Sequence, residues 1–323
     1  MRVLKYLLLG AFVGAHAGIA SAQTAYPTKP VRIIVPYPPG GGNDTLARIF
    51  GQKLGEALGQ QFVVENRPGA GTIIGTAYVA KAVPDGYTLL LSSIATHAFS
   101  PHLYAKPGYD PLRDFSPITL LVVAPTLLVV NPSLPVHSER EGEALAKKRP
   151  GQIEFATAGT GSASHMLGET FKSVTAIDIV QIPYKGGGPS IIGVITGEAQ
   201  MLADPAASIL PHVKSGRLRA LAVARSTRLP DLSSVPTFAE AGFPQYTASA
   251  WYSMHAPART PQEIVSRLNK ELVRIISLPD IKEKLKDLGS DGVGNTPEQF
   301  AQFVQTEHAK YGKLIKEMGV KPE

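Results

Sequence analysis

Ser162 lies in the run Gly159-Thr160-Gly161-Ser162-Ala163-Ser164, where a hydroxyl flanked by small residues could act as a nucleophile. Such a serine needs a base and an orienting acid. Asp204 followed by His212 or His255 comes in the chain order that hydrolases of the G-x-S-x-G type use. That pattern requires glycine where Ser164 stands, so a secreted serine hydrolase is the alternative reading, not the leading one. The other chemistry on offer is non-covalent anion binding. Pro36-Tyr37-Pro38-Pro39-Gly40-Gly41-Gly42 places three prolines and three glycines in seven residues. Prolines stiffen such a loop, while glycines let bare N–H groups approach a ligand. The same run would also serve as a tight turn with no ligand. The eight histidines show no metal-ligand spacing. No glycine run closes with G-K-[ST], and Gly69-Ala70-Gly71 continues to Gly75 as G-x-G-x-x-x-G without the following acid of a dinucleotide site. No cofactor is implied.

The elements that must position these residues alternate. Val31–Val35 reads as a short buried strand rich in β-branched residues, and a helix starts at Thr45 with Asn43 or Asp44 as its N-cap. Strand, glycine-rich turn and helix N-terminus together make an anion seat. Gln61–Glu65 and Tyr87–Ser92 read as further strands around a helix from Ile73 to Ala82. Phe115–Val130 is apolar, interrupted by Pro117 and Pro125, and longer than an ordinary strand, so it is expected to cross from one lobe to another. A second series repeats the device: a strand at Ile153–Thr157, the Gly159–Ser164 turn, and a helix capped by Ser162. Ile179–Pro183, a helix over Ser190–Thr196, and strands at Gln200–Asp204 and Arg219–Ala224 follow, then a loop-rich stretch and a strand at Ala248–His255. This alternation predicts parallel α/β sheets with ligands at the carboxyl ends of the strands. Amphipathic helices at Pro261–Ser277 and Thr296–Met318 are expected to return to the first lobe, the last one covering the face of Leu46.

With 323 residues the chain can form two domains with real cores. Met1–Lys5 is basic, Tyr6–Ile19 is apolar, and Ala20-Ser21-Ala22 is a small-residue cleavage site. This is the pattern of a secretory signal peptide, removed after Ala22. The absence of cysteine excludes disulfides, thiolate metal sites and a lipid-anchoring cysteine. The formal charge of +6 is scattered rather than interleaved with aromatics, which argues against nucleic acid as a partner and is compatible with small anions.

An ordered set of motifs carries a family resemblance. Pro36–Asp44, Asn66-Arg67-Pro68-Gly69-Ala70-Gly71, Pro84-Asp85-Gly86-Tyr87-Thr88-Leu89 and Ala158–Ser162 are followed by Pro183-Tyr184-Lys185-Gly186-Gly187, Leu218–Val223 and Val235-Pro236-Thr237. The chain resembles the Bug family, the periplasmic substrate-binding proteins of tripartite tricarboxylate transporters, over essentially the whole mature length. Thr72 departs from the pattern, which has a further glycine there. The resemblance implies a two-lobed Venus-flytrap fold of the type II binding-protein class, two α/β domains with a cleft between them. Residues 23–121 plus 226–323 would form lobe 1, and residues 122–225 lobe 2. It implies a periplasmic, monomeric protein that is not an enzyme and that presents a small carboxylate-bearing solute to a membrane transporter. A solute sensor for a membrane signalling partner is a further alternative. The implied ligand contacts are Tyr37, Pro39, Gly40, Gly41 and Asn43 from the first loop, Ser92 and Ser93 from a strand end, Thr160, Gly161, Ser162 and His165 from the second loop, and Asp204. Asp204 could instead cap the chain before Pro205, and Lys185 could border the pocket or sit in solvent.

Overall fold

The computed structural model describes residues 26–317 apart from 160–161, 245 and 247–248. The proposed signal peptide, with its cleavage site after Ala22, therefore lies outside the described residues, as do the candidate contacts Thr160 and Gly161. The elements in order are β1 (Val31–Val35), α1 (Gly42–Leu58), β2 (Phe62–Asn66), α2 (Ile73–Ala80), β3 (Thr88–Ser93), α3 (Ser100–Leu103) and β4 (Phe115–Val130). Then come α4 (Glu139–Lys148), β5 (Glu154–Thr157), α5 (Ala163–Thr175), β6 (Val180–Pro183), α6 (Gly187–Thr196), β7 (Met201–Pro205), α7 (Ala206–Lys214) and β8 (Arg219–Val223). The chain closes with β9 (Ser249–Pro257), α8 (Gln262–Ser277), α9 (Pro279–Asp287), β10 (Asp291–Gly292) and α10 (Pro297–Glu317).

The strands lie in the order β2-β1-β3-β9-β4-β7-β5-β6. β1 runs parallel to β2 and β3, and β5 runs parallel to β6 and β7, as alternating strands and helices require. The central pair departs from the all-parallel expectation. β9 is antiparallel to both β3 and β4, because it returns the chain from the second sheet to the first. β4 is a single strand with two sets of partners. Its first part pairs with β9 as far as Pro125 opposite Ser249, and its second part pairs with β7 and β8 from Thr126 onward. The apolar stretch expected to cross between lobes is thus one strand held in both sheets. Pro117 and Pro125 are tolerated where the ladder is irregular or changes partner, since neither can donate a backbone hydrogen bond.

Burial follows this division and gives two lobes. Leu128 and Val130 of β4 pack with Phe155, Phe171, Phe238 and Tyr246 on one face, while Leu127 and Val129 pack with Ile191, Val194 and Ile209 on the other. In the first lobe, Ile33, Leu46, Phe50 and Leu54 meet Val265, Leu268 and Leu272. The helix over Leu46 is therefore α8, not the last helix as expected. α10 instead places Phe300, Val304, Tyr311 and Ile315 against Ile94, Phe99, Leu103 and Trp251 on the opposite side. The amphipathic pattern reads the buried face of a helix but not which of two sheet faces receives it.

Thr72 adopts φ +89°, in the left-handed region that disfavours β-branched residues. Thr72→Gly is expected to raise the urea midpoint, by about 1 kcal/mol in stability, because glycine removes this strain. Phe300→Ala is expected to lower it by roughly 3–5 kcal/mol, since the ring is fully buried between α10 and the first sheet. A loss below 1 kcal/mol in the same unfolding experiment would show that α10 is not integral to the first lobe.

Candidate functional site

Four helices begin at one cavity. The residues lining it include Gly42 and Asn43 at the start of α1, Ala163 and Ser164 of α5, Gly187 of α6, and Pro205 with Ser208 of α7. A helix N-terminus carries unsatisfied N–H groups and the equivalent of about half a positive charge. Convergence of four of them gives this cavity a positive potential, and among the described residues no lysine or arginine lines it. Its volume is about 50 Å³, a few water volumes.

The first loop is built by residues beneath it. α1 starts at Gly42 with Gly41 as N-cap and no side-chain cap, so neither Asn43 nor Asp44 plays the expected capping role. Asp44 instead accepts from the Gly40 N–H at 3.1 Å and from Asn66 Nδ2 at 3.0 Å, while Arg48 Nη2 pairs with it at 2.9 Å. Asn66 Nδ2 also donates to the Tyr37 carbonyl at 3.0 Å. Hydrogen bonds from Arg48, Gly40 and Asn66 outweigh the cost of burying Asp44 and hold its carboxyl below its usual range. The loop is thereby fixed from below, which leaves its upper surface for the cavity.

The second loop is fixed in the same manner. Ser162 Oγ accepts from the His165 N–H at 3.2 Å and so caps α5 as expected. Ser164 Oγ accepts from the Ala158 N–H at 2.8 Å. Each hydroxyl has one acceptor site occupied by backbone, and the two lie 3.3 Å apart, so one donates to the other and only the second keeps its proton for a ligand. Tyr37 Oη and Ser93 Oγ lie 2.6 Å apart, and Ser93 Oγ accepts from the Ala95 N–H at 3.2 Å.

Ser208 joins the lobes. Its hydroxyl accepts from the Gly42 N–H at 3.2 Å and holds the Asp204 carboxyl and the Tyr252 hydroxyl. The approach requires glycine at position 42: a Cβ there would lie 2.8 Å from Ser208 Oγ and 3.1 Å from Tyr252 Oη. Pro38 and Gly186 also meet across the gap, where an added Cβ on Gly186 would clash with the proline ring. Burial pushes Asp204 up to about 7, with the Ser208 hydrogen bond offsetting only part of the shift. The single acid of the cavity is thus held half neutral at neutral pH.

Of the residues expected at the site, Tyr37, Gly41, Asn43, Ser93, Ser162 and Asp204 line the cavity. Ser92 is not brought to it; it points into the core, where it bonds Ser253 Oγ at 2.6 Å and His255 Nδ1 at 2.9 Å. Strand alternation explains this, since adjacent residues face opposite sides. Pro39 and Gly40 are exposed rim residues and His165 is half-buried on α5, and none of the three is among the lining residues. Lys185 is exposed and lies outside the cavity as well. Pro38, Ser164, Gly187, Ser208 and Tyr252 line it without having been singled out. The same geometry does not favour the triad alternative, since neither His212 nor His255 lines the cavity that Ser162 and Asp204 line. His255 is stacked on His97 at 4.2 Å and bonded to Ser92, and Asp204 holds a serine, not an imidazole.

Residues 46–320 match the family described as the tripartite tricarboxylate transporter family receptor. The chain belongs to this family. BugT of Bordetella pertussis is 38% identical to this receptor over 317 residues, covering 97% of each chain. An R. palustris structure with adipate is 36% identical with a TM-score of 0.89, covering 92% of the receptor and 100% of that chain. The MatC structure from Rhodopseudomonas palustris with bound malate is 31% identical with a TM-score of 0.85, covering 90% of the receptor and 100% of that chain. The receptor is accordingly a periplasmic solute-binding protein with the type II two-lobed fold, and not an enzyme.

Because Asp204 binds its proton more tightly when folded than in the unfolded chain, stability falls as pH rises from about 4 to about 7. Asp204→Asn is expected to flatten that slope and to stabilise the protein above pH 7 by about 1–3 kcal/mol. Melting temperatures of both proteins across this range check it; parallel profiles would mean that Asp204 is solvated in solution.

Proposed function

We propose that this receptor captures a small solute through a carboxylate placed among the four helix N-termini, and delivers it to a tripartite tricarboxylate-type membrane transporter. The convergence of those N-termini on a cavity lined, among the described residues, by no lysine or arginine is the observation that carries the reading. An anion at a helix N-terminus gains roughly 0.3–1 kcal/mol per helix, and up to about 2 when partly buried, so four together suffice without a cation. The adipate and malate seen with two relatives support a carboxylate as the recognised group. The contacts assigned to it are hydroxyls of Tyr37, Ser93, Ser162 and Ser164 with N–H groups of the helix first turns. Asp204, largely protonated below neutral pH, can donate to a solute oxygen instead of repelling it.

The lobes are assigned by which core each segment joins. The first crossing falls within β4, close to the division proposed at residue 122. Phe238 and Tyr246 pack with the second lobe, which supports a second crossing after Tyr246 rather than at 226. The two crossings then lie side by side, since Pro125 pairs with Ser249. Export through the signal peptide, cleavage after Ala22 and a monomeric state belong to the same proposal.

Native mass spectrometry of freshly purified protein, followed by calorimetric titration of the retained solute, tests the reading. Retention of a solute without a carboxylate would overturn it. Ser162→Ala is expected to weaken binding by roughly tenfold to a hundredfold, the loss of one hydrogen bond to a charged group. Lys185→Ala is expected to change it by less than about threefold, because an exposed charge outside the cavity is screened. The reverse order in calorimetry would replace neutral donors with a cationic anchor.

A further inference from the structure

A second, apolar cavity adjoins the polar one. It has a volume of about 20 Å³ and lies between α5 of the second lobe and α10 of the first, and the two cavities share Ile94, Ala163 and Ala250 as walls. Beyond those three, the second cavity is walled chiefly by Phe99, Met166, Leu167, Tyr311 and Leu314. Its polar groups are the hydroxyls of Ser249 and Tyr311, and Thr170 Oγ1, which donates to the Met166 carbonyl of its own helix at 2.8 Å. Among the described residues no charged side chain lines it. Met166 is buried with Phe99, Trp251 and Tyr311 in the first lobe's cluster although it stands on a second-lobe helix. The second cavity is therefore a seam between lobes that forms when they are together, as the polar cavity does.

We infer that the solute is a monocarboxylic acid whose carboxylate occupies the polar cavity while its apolar alkyl or aryl end passes Ile94, Ala163 and Ala250 into this seam. The inference rests on the carboxylate reading above and adds what the rest of the solute must be. The shared walls are apolar, and two of them are alanines, so the passage suits a carbon skeleton and offers nothing to a second charged group. A carboxylate at the far end would be desolvated beside Phe99, Met166 and Leu314 with no cation and at most the Ser249 and Tyr311 hydroxyls to meet it, which is costly. An apolar end instead gains the transfer free energy of its methylenes. The small volume of the seam fits the end of one skeleton, not a second molecule.

The test uses matched acids on the intact protein by calorimetry: butyrate, hexanoate and octanoate against succinate, adipate and suberate. Affinity should rise roughly fourfold per added methylene along the monocarboxylates until the seam is full. Hexanoate should bind at least about tenfold more tightly than adipate of the same length. Leu314→Trp should flatten the monocarboxylate series by filling the seam, and Leu314→Lys should shift preference toward the dicarboxylates. Leu314 is only half-buried, and melting curves without ligand are to check that both variants fold. Dicarboxylates binding as tightly as their matched monocarboxylates would overturn the inference and leave the carboxylate site standing. So would a series whose slope Leu314→Trp does not change. Failure of all six acids to bind would overturn both readings.

Discussion

The structure depends on a strand that belongs to two sheets at once. β4 is hydrogen-bonded to β9 in the first lobe and to β7 and β8 in the second, and the exchange happens within one residue step, between Pro125 and Thr126. A continuous backbone ladder cannot bend sharply in the middle of a strand unless its partners change there. Pro125 lacks the N–H that would bind it to either side, so the step is already weakened at that point. Ser249, its partner, begins the returning strand. The two places where the chain passes between the sheets thus lie side by side, at Pro125 and Ser249.

Everything at the cleft follows from where that crossing puts the helix ends. In each lobe the strands run toward the cleft and the helices after them start there, because a parallel strand followed by a helix places the helix N-terminus at the strand's carboxyl end. The first lobe contributes α1, and the second contributes α5, α6 and α7. Glycine is needed where these ends come close: Gly42 against Ser208 and Tyr252, and Gly186, at φ +114°, against Pro38. Field and closeness are linked, since helix ends can share one ligand only if their backbones approach within a few ångströms of it. A bulky or charged side chain at those positions would have kept them apart.

Much of this was legible in the sequence because it is local. The Pro36–Gly42 run, the Ser162 cap and the strand end at Asp204 are set by neighbours within a few residues, and each stands where those neighbours imply. The long apolar stretch with two prolines declared itself as a crossing, since no ordinary strand or helix fits it. What stayed hidden is long-range. Ser208 is one serine on a short helix, and its importance comes from Gly42, 166 residues earlier. Tyr252 reads as an aromatic in a buried strand, and only the sheet register places its hydroxyl beside Ser208. Ser92 and Ser93 could not be told apart until the pleat was known. Asp44 looked like a cap because its type and position suit one, but Asn66 and Arg48 claim it for the underside of the loop.

The neutral construction of the cleft also bears on how it can open again. A buried ion pair between solute and receptor would have to be desolvated on closing, and separating it on opening would leave two charges exposed to each other's loss. Hydroxyls and backbone N–H groups bind an anion with smaller desolvation cost, and water replaces them readily when the lobes part. Asp204 fits this scheme because burial raises its carboxyl to about 7, so at neutral pH it sets about half the charge of an ordinary carboxylate against the solute.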